Sequence, residues 1–402
     1  MALLDQEILK EAITLKEEMV SNRRHIHENP ELGMDLPNTS LFVENKLKEM
    51  GYTDVKRVGE YGLTATVGKG DGKVFLLRAD MDALPIIEDN ELAYKSKIEG
   101  RMHACGHDMH TTMLLGAAKI LKKYEEQIPG IIKFMFQPGE EVMKGAADMI
   151  KNGILENPRP DAGLMIHVMP GLPLDIGTVI SAEAGPMMAS VDWFDISIKG
   201  KGGHGSMPYT AIDPVVPMNA IQNALHTLQS RELPPNAITA ITVTGIHGCE
   251  TSNVIPDNVS MGGTIRSYNE EHRQLIKHRM VEISEHIAKA FRCEATVEFP
   301  AGAPYFDNSK EVADHIKKAL PQYLGKMYMP PMPMDVPAMG SEDFAYISHE
   351  IPSSVMMIAA SDLRKGGVYG VHHPKLVLDE ECMPYGAAAY VGVALSWLED
   401  NQ

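Results

Sequence analysis

The sequence holds no run of about twenty uninterrupted apolar residues, the length a helix needs to cross a bilayer, so a membrane protein is not expected. It also lacks any Lys/Arg-rich block, and its net charge is −17. Binding to nucleic acid requires a basic footprint that neutralises phosphates, so that partner class is set aside and the acidity is read as serving solubility. Cysteine is scarce. Cys105, Cys249, Cys293 and Cys382 lie far apart, too few for a disulfide scaffold in 402 residues. All four read as free thiols, with Cys105 set apart by its neighbours. No internal repeat or low-complexity tract is present, and PPMPMDVPAMG near residue 330 is a Pro- and Met-rich loop. The opening MALLDQEILKEAITLKEEMV spaces its apolar residues as an amphipathic helix and has no apolar secretory core, which makes cytoplasm the expected location.

A chain of this length exceeds what one hydrophobic core supports, so two domains are expected. After the first helix and the stretch RRHIHENPELG, NTSLFVENKLKEMG reads as a second helix, with a cap-like Asn38-Thr39-Ser40 start and Gly51 at its stop. GLTATVG, KVFLLRADMDALP, IIKFMFQPGEE and AGLMIHV are nearly continuous apolar runs, as strands covered on both faces would be. Helical stretches HTTMLLGAAKILKKYEEQ and AADMIKNGIL alternate with them. The pattern predicts an α/β domain with a mostly parallel sheet flanked by helices, whose function sits outside the carboxyl ends of the strands.

The texture then changes. ASVDWFDISIKG, AITAITVTGI and NVSMGGTIRSY alternate apolar and polar residues, the period of strands with one wet face, and CEATVEFPAG adds a fourth. Two helices interleave with them. Residues 187–302 therefore read as a smaller α+β domain, a four-stranded antiparallel sheet with two helices, inserted between 1–186 and 303–402.

Candidate chemistry gathers at strand ends. HACGHDMH packs three histidines, a cysteine and an aspartate into residues 103–110, and a borderline metal accepts those donors. On an extended segment residues i and i+2 share a face, so Cys105 and His107 can grip one ion, with His103 either joining them or standing behind. Glu140 and Glu141 follow an apolar strand. Neighbouring side chains diverge, so one can ligate while the other faces a water. His167 closes another strand, and VHHP offers His372 or His373. Cys105 with His107 also fits a thiol nucleophile, which chelator resistance would reveal.

Taken together, RRHIHENPELG, LRADMDALP, HACGHDMH, FQPGEE, IHVMPGLP, GKGGHGSMP, SNVIPD, GTIR, GSEDF and VHHP resemble the aminoacylase, carboxypeptidase G and hippurate hydrolase superfamily of metallopeptidases. Within it they are most similar to bacterial N-acyl-amino-acid amidohydrolases and plant auxin-conjugate hydrolases. The resemblance runs through essentially the whole chain. It implies two divalent ions per subunit bridged by Cys105, with His107, Glu141, His167 and His372 as the other ligands. Zn²⁺ is the expected metal, with Mn²⁺, Co²⁺ or Ni²⁺ as alternatives. It implies Glu140 as general base, Asp80 behind a ligand, His204 on the substrate carbonyl, and Asn253 and Arg266 on the amino-acid carboxylate. It also implies that the inserted domain is a lid through which homodimers form. The expected reaction is hydrolysis of an N-acyl amino acid, with a dipeptidase or a silent metal-binding protein as the alternatives.

Overall fold

The computed structural model describes residues 2–68, 72–248, 251–332 and 338–402, so Cys249 and part of the Pro- and Met-rich loop lie outside the described residues. Cys105, Cys293 and Cys382 are free thiols. No described helix is long and apolar enough to cross a membrane.

The chain divides into two compact units, Met1–Met187 with Asp307–Asp335 and Asp343–Gln402, and Met188–Phe306 with Val336–Glu342. The second unit thus includes a segment that sequence alone assigned to the first. Hydrogen bonds to that segment's carbonyls explain it, since the backbone N–H of Ala189 donates to Gly340 O at 2.9 Å and the Arg266 side-chain Nε donates to Met339 O at 3.2 Å.

In the first unit the expected opening helix is two, α1 (Ala2–Thr14) and α2 (Lys16–Glu28), meeting at Leu15. α2 continues into the Arg- and His-rich stretch because Met19, Asn22, Arg23, Ile26 and His27 form one buried stripe at helical spacing. The next helix, α3 (Pro37–Glu49), starts earlier than its polar cap-like triplet. Pro37, which has no N–H to satisfy, occupies the first turn, and the Glu31 carboxylate accepts from the N–H groups of Asn38 (3.1 Å) and Thr39 (2.8 Å). A carboxylate from outside the helix does the capping.

The main sheet contains β1 (Lys56–Val58), β2 (Gly62–Gly68), β3 (Val74–Asp80), β4 (Ile131–Gln137), β5 (Ala162–Met169) and β6 (Val179–Ser181), joined by strands Ser353–Ala359 and Tyr328–Met329. Their order is β1-β2-β4-β3-β5, then Ser353–Ala359, β6 and Tyr328–Met329. The central four strands are mutually parallel, while β2 and β6 run antiparallel to their inner neighbours. Every residue of β3 is buried, as its apolar run predicts for a strand covered on both faces. From β3 the chain passes through α4 (His107–Lys123) to β4 on one side, then through α5 (Gly145–Lys151) to β5 on the other. The direction of winding therefore reverses between β3 and β5, and a crevice opens at their carboxyl ends.

The second unit has its own core around Phe194, Ile196, Ile198, Ile221, Ile265 and Met280. Strand Ser190–Lys199 alternates buried and exposed residues along most of its length, the pattern of one wet face. Helices Val215–Thr227 and Glu270–Ala290 accompany an antiparallel sheet of five strands, one more than expected. CEATVEFPAG reads as a single strand, but Pro300 lacks the N–H a ladder needs. Pairing with Ser190–Lys199 stops at Glu298 and resumes at Gly302.

Candidate metal centre

Cys105 ends a loop, and Gly106 turns it into α4 with a φ of +87°, so the pair with His107 is not the extended i, i+2 arrangement expected from spacing. The turn demands glycine. A Cβ at Gly106 would stand 2.5 Å from a Val168 methyl and 2.8 Å from a Leu378 methyl. His107 becomes the first residue of the helix, and its ring nitrogens point into the crevice beside Cys105.

Glu140 and Glu141 lie in the turn after β4. Adjacent side chains on a strand diverge, but here both converge on His107 Nε2, with carboxylate oxygens at 3.9 and 3.8 Å. Asp82 fixes the turn. Its two carboxylate oxygens accept from the N–H groups of Glu140 (3.0 Å) and Glu141 (3.1 Å), and Oδ1 lies 3.5 Å from His107 Nδ1.

His167 reaches the same place from β5. Its Nδ1–H donates to Val168 O at 2.7 Å, which leaves Nε2 without a proton and 3.5 Å from Cys105 Sγ. His372 holds a left-handed backbone, φ +66°, and its N–H donates to Ala104 O at 2.7 Å. Its Nε2 stands 3.5 Å from Glu141 Oε1. His373 turns elsewhere, stacking on Tyr369 with ring centroids 4.3 Å apart and accepting from the Lys375 N–H. His103 also stays out of the cluster. It is buried near His27, and burial pushes its pKa down to about 3.

Among the described residues, five groups of three His, Cys, Asp or Glu side chains bring their ligand atoms within 4.8 Å of one another, and two of them contain a thiol: Cys105 with His107 and His167, and Cys105 with Glu141 and His372. Cys105 Sγ belongs to both. Among the described residues, neither ring nitrogen of His107 nor Oε1 of Glu141, all buried, has a hydrogen-bond partner. The nearest carboxylates face His107 at 3.5 to 3.9 Å, and against the cost of burial the negative charge of Asp80 favours its protonated ring. Orphaned donors amid clustered carboxylates fit cations, because buried polar atoms without partners are otherwise costly.

The electrostatics agree. Burial raises the Glu141 carboxyl to about 7, with Asp82 and Asp80 adding to the effect against His107. Burial likewise pushes the Cys105 thiol up, with His107 opposing it. A cation at this sulfur reverses that sign, since a coordinating thiol is deprotonated. Asp80 behaves differently: burial opposes its charge, but His107, Arg78 and His110 hold its carboxyl well below the usual carboxylate range.

Sequence reasoning missed Asp82 and His110. His110 lies one helical turn after His107, the i, i+3 spacing that shares a helix face, and that spacing was the available signal. Asp82 offered none, because its partners are backbone N–H groups far along the chain. Asp82→Asn is expected to remove one of the two acceptors beneath the glutamate turn. Metal affinity and kcat/KM should fall about 10- to 100-fold with the fold retained, as measured by metal titration and circular dichroism.

In the second unit His204 and Asn253 sit together on a short ribbon, where Gly203–His204 pairs with Val254–Ile255 and the N–H of Gly205 donates to Asn253 O. His204 is exposed, and its Nδ1 accepts from the Ser206 N–H at 3.1 Å. Arg266 is half-buried on strand Asn258–Ser267, with its guanidinium on the Thr264 hydroxyl and the Ile265 and Met339 carbonyls. Burial lowers its pKa.

A thiol, imidazoles and paired carboxylates at the switch point of a wound α/β sheet define a metal-dependent hydrolase with a second α+β unit. Residues 76–396 match peptidase family M20/M25/M40, and the chain belongs to that family. It is 39% identical to IAA-amino acid hydrolase ILR1-like 4 of Arabidopsis thaliana over 385 residues, covering 94% of this chain and 86% of the relative. With the N-acetyl-L-cysteine deacetylase of Bacillus subtilis the identity is 36%, over 91% of this chain and 85% of the relative. A solved Bacillus subtilis structure, described as a dinuclear metal binding peptidase from M20 family, aligns with a TM-score of 0.77 and 32% identity over 96% of this chain and 99% of its own.

Proposed function

We propose that this protein hydrolyses the amide bond of N-acyl amino acids, giving a carboxylic acid and a free amino acid. The observation that carries the reading is Cys105 Sγ, common to two donor sets at the crevice. His107 and His167 would complete one cation site and Glu141 and His372 the other. Two divalent cations there supply, when bound, the Lewis acidity that activates a water and polarises an acyl carbonyl. Thiolate and imidazole donors favour Zn²⁺, with Mn²⁺, Co²⁺ or Ni²⁺ as alternatives.

Glu140 is assigned as general base, taking the water proton and returning it to the leaving nitrogen. Asp82 holds its backbone for that task. For the second unit the assignment follows the resemblance, as a lid and dimer-forming domain, with Asn253 and Arg266 meeting the substrate carboxylate. His204 suits donation to the oxyanion, since Ser206 occupies Nδ1 and the neutral ring then carries its proton on Nε2. Such a donor contributes about 3 to 4 kcal/mol where one has been deleted from other enzymes.

The test is a panel of acetylated, benzoylated and indole-acetylated amino acids beside free dipeptides, on protein stripped by chelator and reloaded with Zn²⁺ or Mn²⁺. Turnover of acylated amino acids that disappears on chelation and returns with metal is expected. Preference for free dipeptides would make the protein a peptidase instead, and no turnover with either metal would make it a silent binder.

A further inference from the structure

The parallel pairing of β3 with β5 ends at Arg78 and Met165, whereas β5 runs on to Met169 against Ser353–Ala359. The two strands part at the crevice, and N–H groups of β5 that would have met β3 need other acceptors. Two buried side chains fill the opening in step. The Tyr390 hydroxyl accepts from the Ile166 N–H (2.9 Å) and donates to Arg78 O (2.6 Å). Two residues further along, His110 Nε2 accepts from the Val168 N–H (2.9 Å), and its Nδ1 lies 2.7 Å from Asp80 Oδ1.

Those contacts admit one ring state. An Nε2 that accepts from an amide carries no proton, so the proton is on Nδ1 and is donated to Asp80. The Val168 residue is in turn used from both ends. Its N–H is held by His110, and its carbonyl receives Nδ1–H of His167, the bond that aims His167 Nε2 at Cys105. At the other end of the relay, Asp80 Oδ2 accepts from Arg78 at 2.6 Å and stands 3.7 Å from His107 Nε2. His110 is fully buried, so it acts only through these neighbours.

We propose that His110 is a positioning residue which, as a single neutral tautomer, ties the carboxylate beside His107 to the backbone that aims His167. Two imidazole donors from different elements, one on α4 and one on β5, are thereby set as a unit. The proposal rests on the metallohydrolase reading and deepens it.

Co²⁺ is the probe, because its thiolate charge-transfer and d–d bands report on the geometry around Cys105. His110→Gln keeps an acceptor for the Val168 N–H but loses the donor to Asp80; His110→Asn keeps the donor but loses the acceptor. Tyr390→Phe is the comparator, since that hydroxyl fills the same parting through the Ile166 N–H and the Arg78 carbonyl. Both His110 variants are expected to bind Co²⁺ about 10- to 100-fold more weakly and to shift its bands. Tyr390→Phe should lower the melting temperature while leaving affinity and bands as in the wild type.

Wild-type affinity and bands in folded His110 variants would overturn the proposal, as would an equal loss in Tyr390→Phe, which would assign the effect to a loosened sheet. Should the variants fail to fold, ¹⁵N spectra of the wild-type imidazoles decide. Protonation of His110 at Nδ1 alone supports the relay, and protonation at Nε2 overturns it. Wild-type protein that takes up no Co²⁺ would bring down the metallohydrolase reading itself, a failure seen before any substitution is made.

Discussion

Serine at position 105 is expected to give a folded protein with no tightly held metal and no turnover. Sγ is the one atom common to the two donor sets, so its loss removes a ligand from both at once. A serine hydroxyl does not ionise near neutrality and is a hard donor, whereas a thiolate is soft and charged. The loss should therefore exceed the about 10- to 100-fold that follows removal of an outer partner. Metal content after dialysis, measured by emission spectrometry, should fall from two ions to none per chain. Retention of both ions would sink the bridging role. Turnover that survives chelation in the wild type but not in Cys105→Ser would instead make the thiol a nucleophile. Against that outcome stands the environment of the thiol: burial pushes its pKa up, where an attacking sulfur needs it lowered.

Glu140→Gln should separate chemistry from ligation. Glutamine keeps the volume and loses the proton acceptor, so kcat is expected to drop about 10²- to 10⁴-fold with both ions retained. Glu141→Gln, one residue on, should instead release metal, because Glu141 belongs with Cys105 and His372. Metal content and kcat measured side by side on the two variants distinguish base from ligand. The reverse pattern would exchange the two assignments.

The sequence spoke clearly where one local pattern has one physical cause. β3 is apolar throughout because both of its faces are covered, and Ser190–Lys199 alternates because one face is wet. The candidate donors Cys105, His107, Glu141, His167 and His372 stood out because their residue types are unusual at strand ends and in one short motif. Spacing left His372 and His373 open, and only the resemblance favoured His372. The left-handed backbone at His372 turns one ring toward Glu141 and leaves the next to Tyr369. Asp82, Tyr390 and Glu31 stayed hidden for a shared reason. Each satisfies backbone groups remote in sequence or outside its own element, and such partners leave no periodicity to read. The break at Pro300 was visible in principle, since a ladder that needs every N–H cannot pass through proline.

The donors also have an order in time. Cys105, His107, Glu141 and His167 precede the second unit in the chain, and His372 follows it. At synthesis rates of about 5 to 20 residues per second, His372 leaves the ribosome roughly 10 to 40 s after His167. A nascent or prematurely terminated chain without His372 cannot form the set that needs it, and it also lacks helix Met383–Asp400, whose side chains belong to the first unit's core. On the proposed two-cation reading, loading of the second ion is a late event in biogenesis, and a fragment ending before residue 372 should hold at most one.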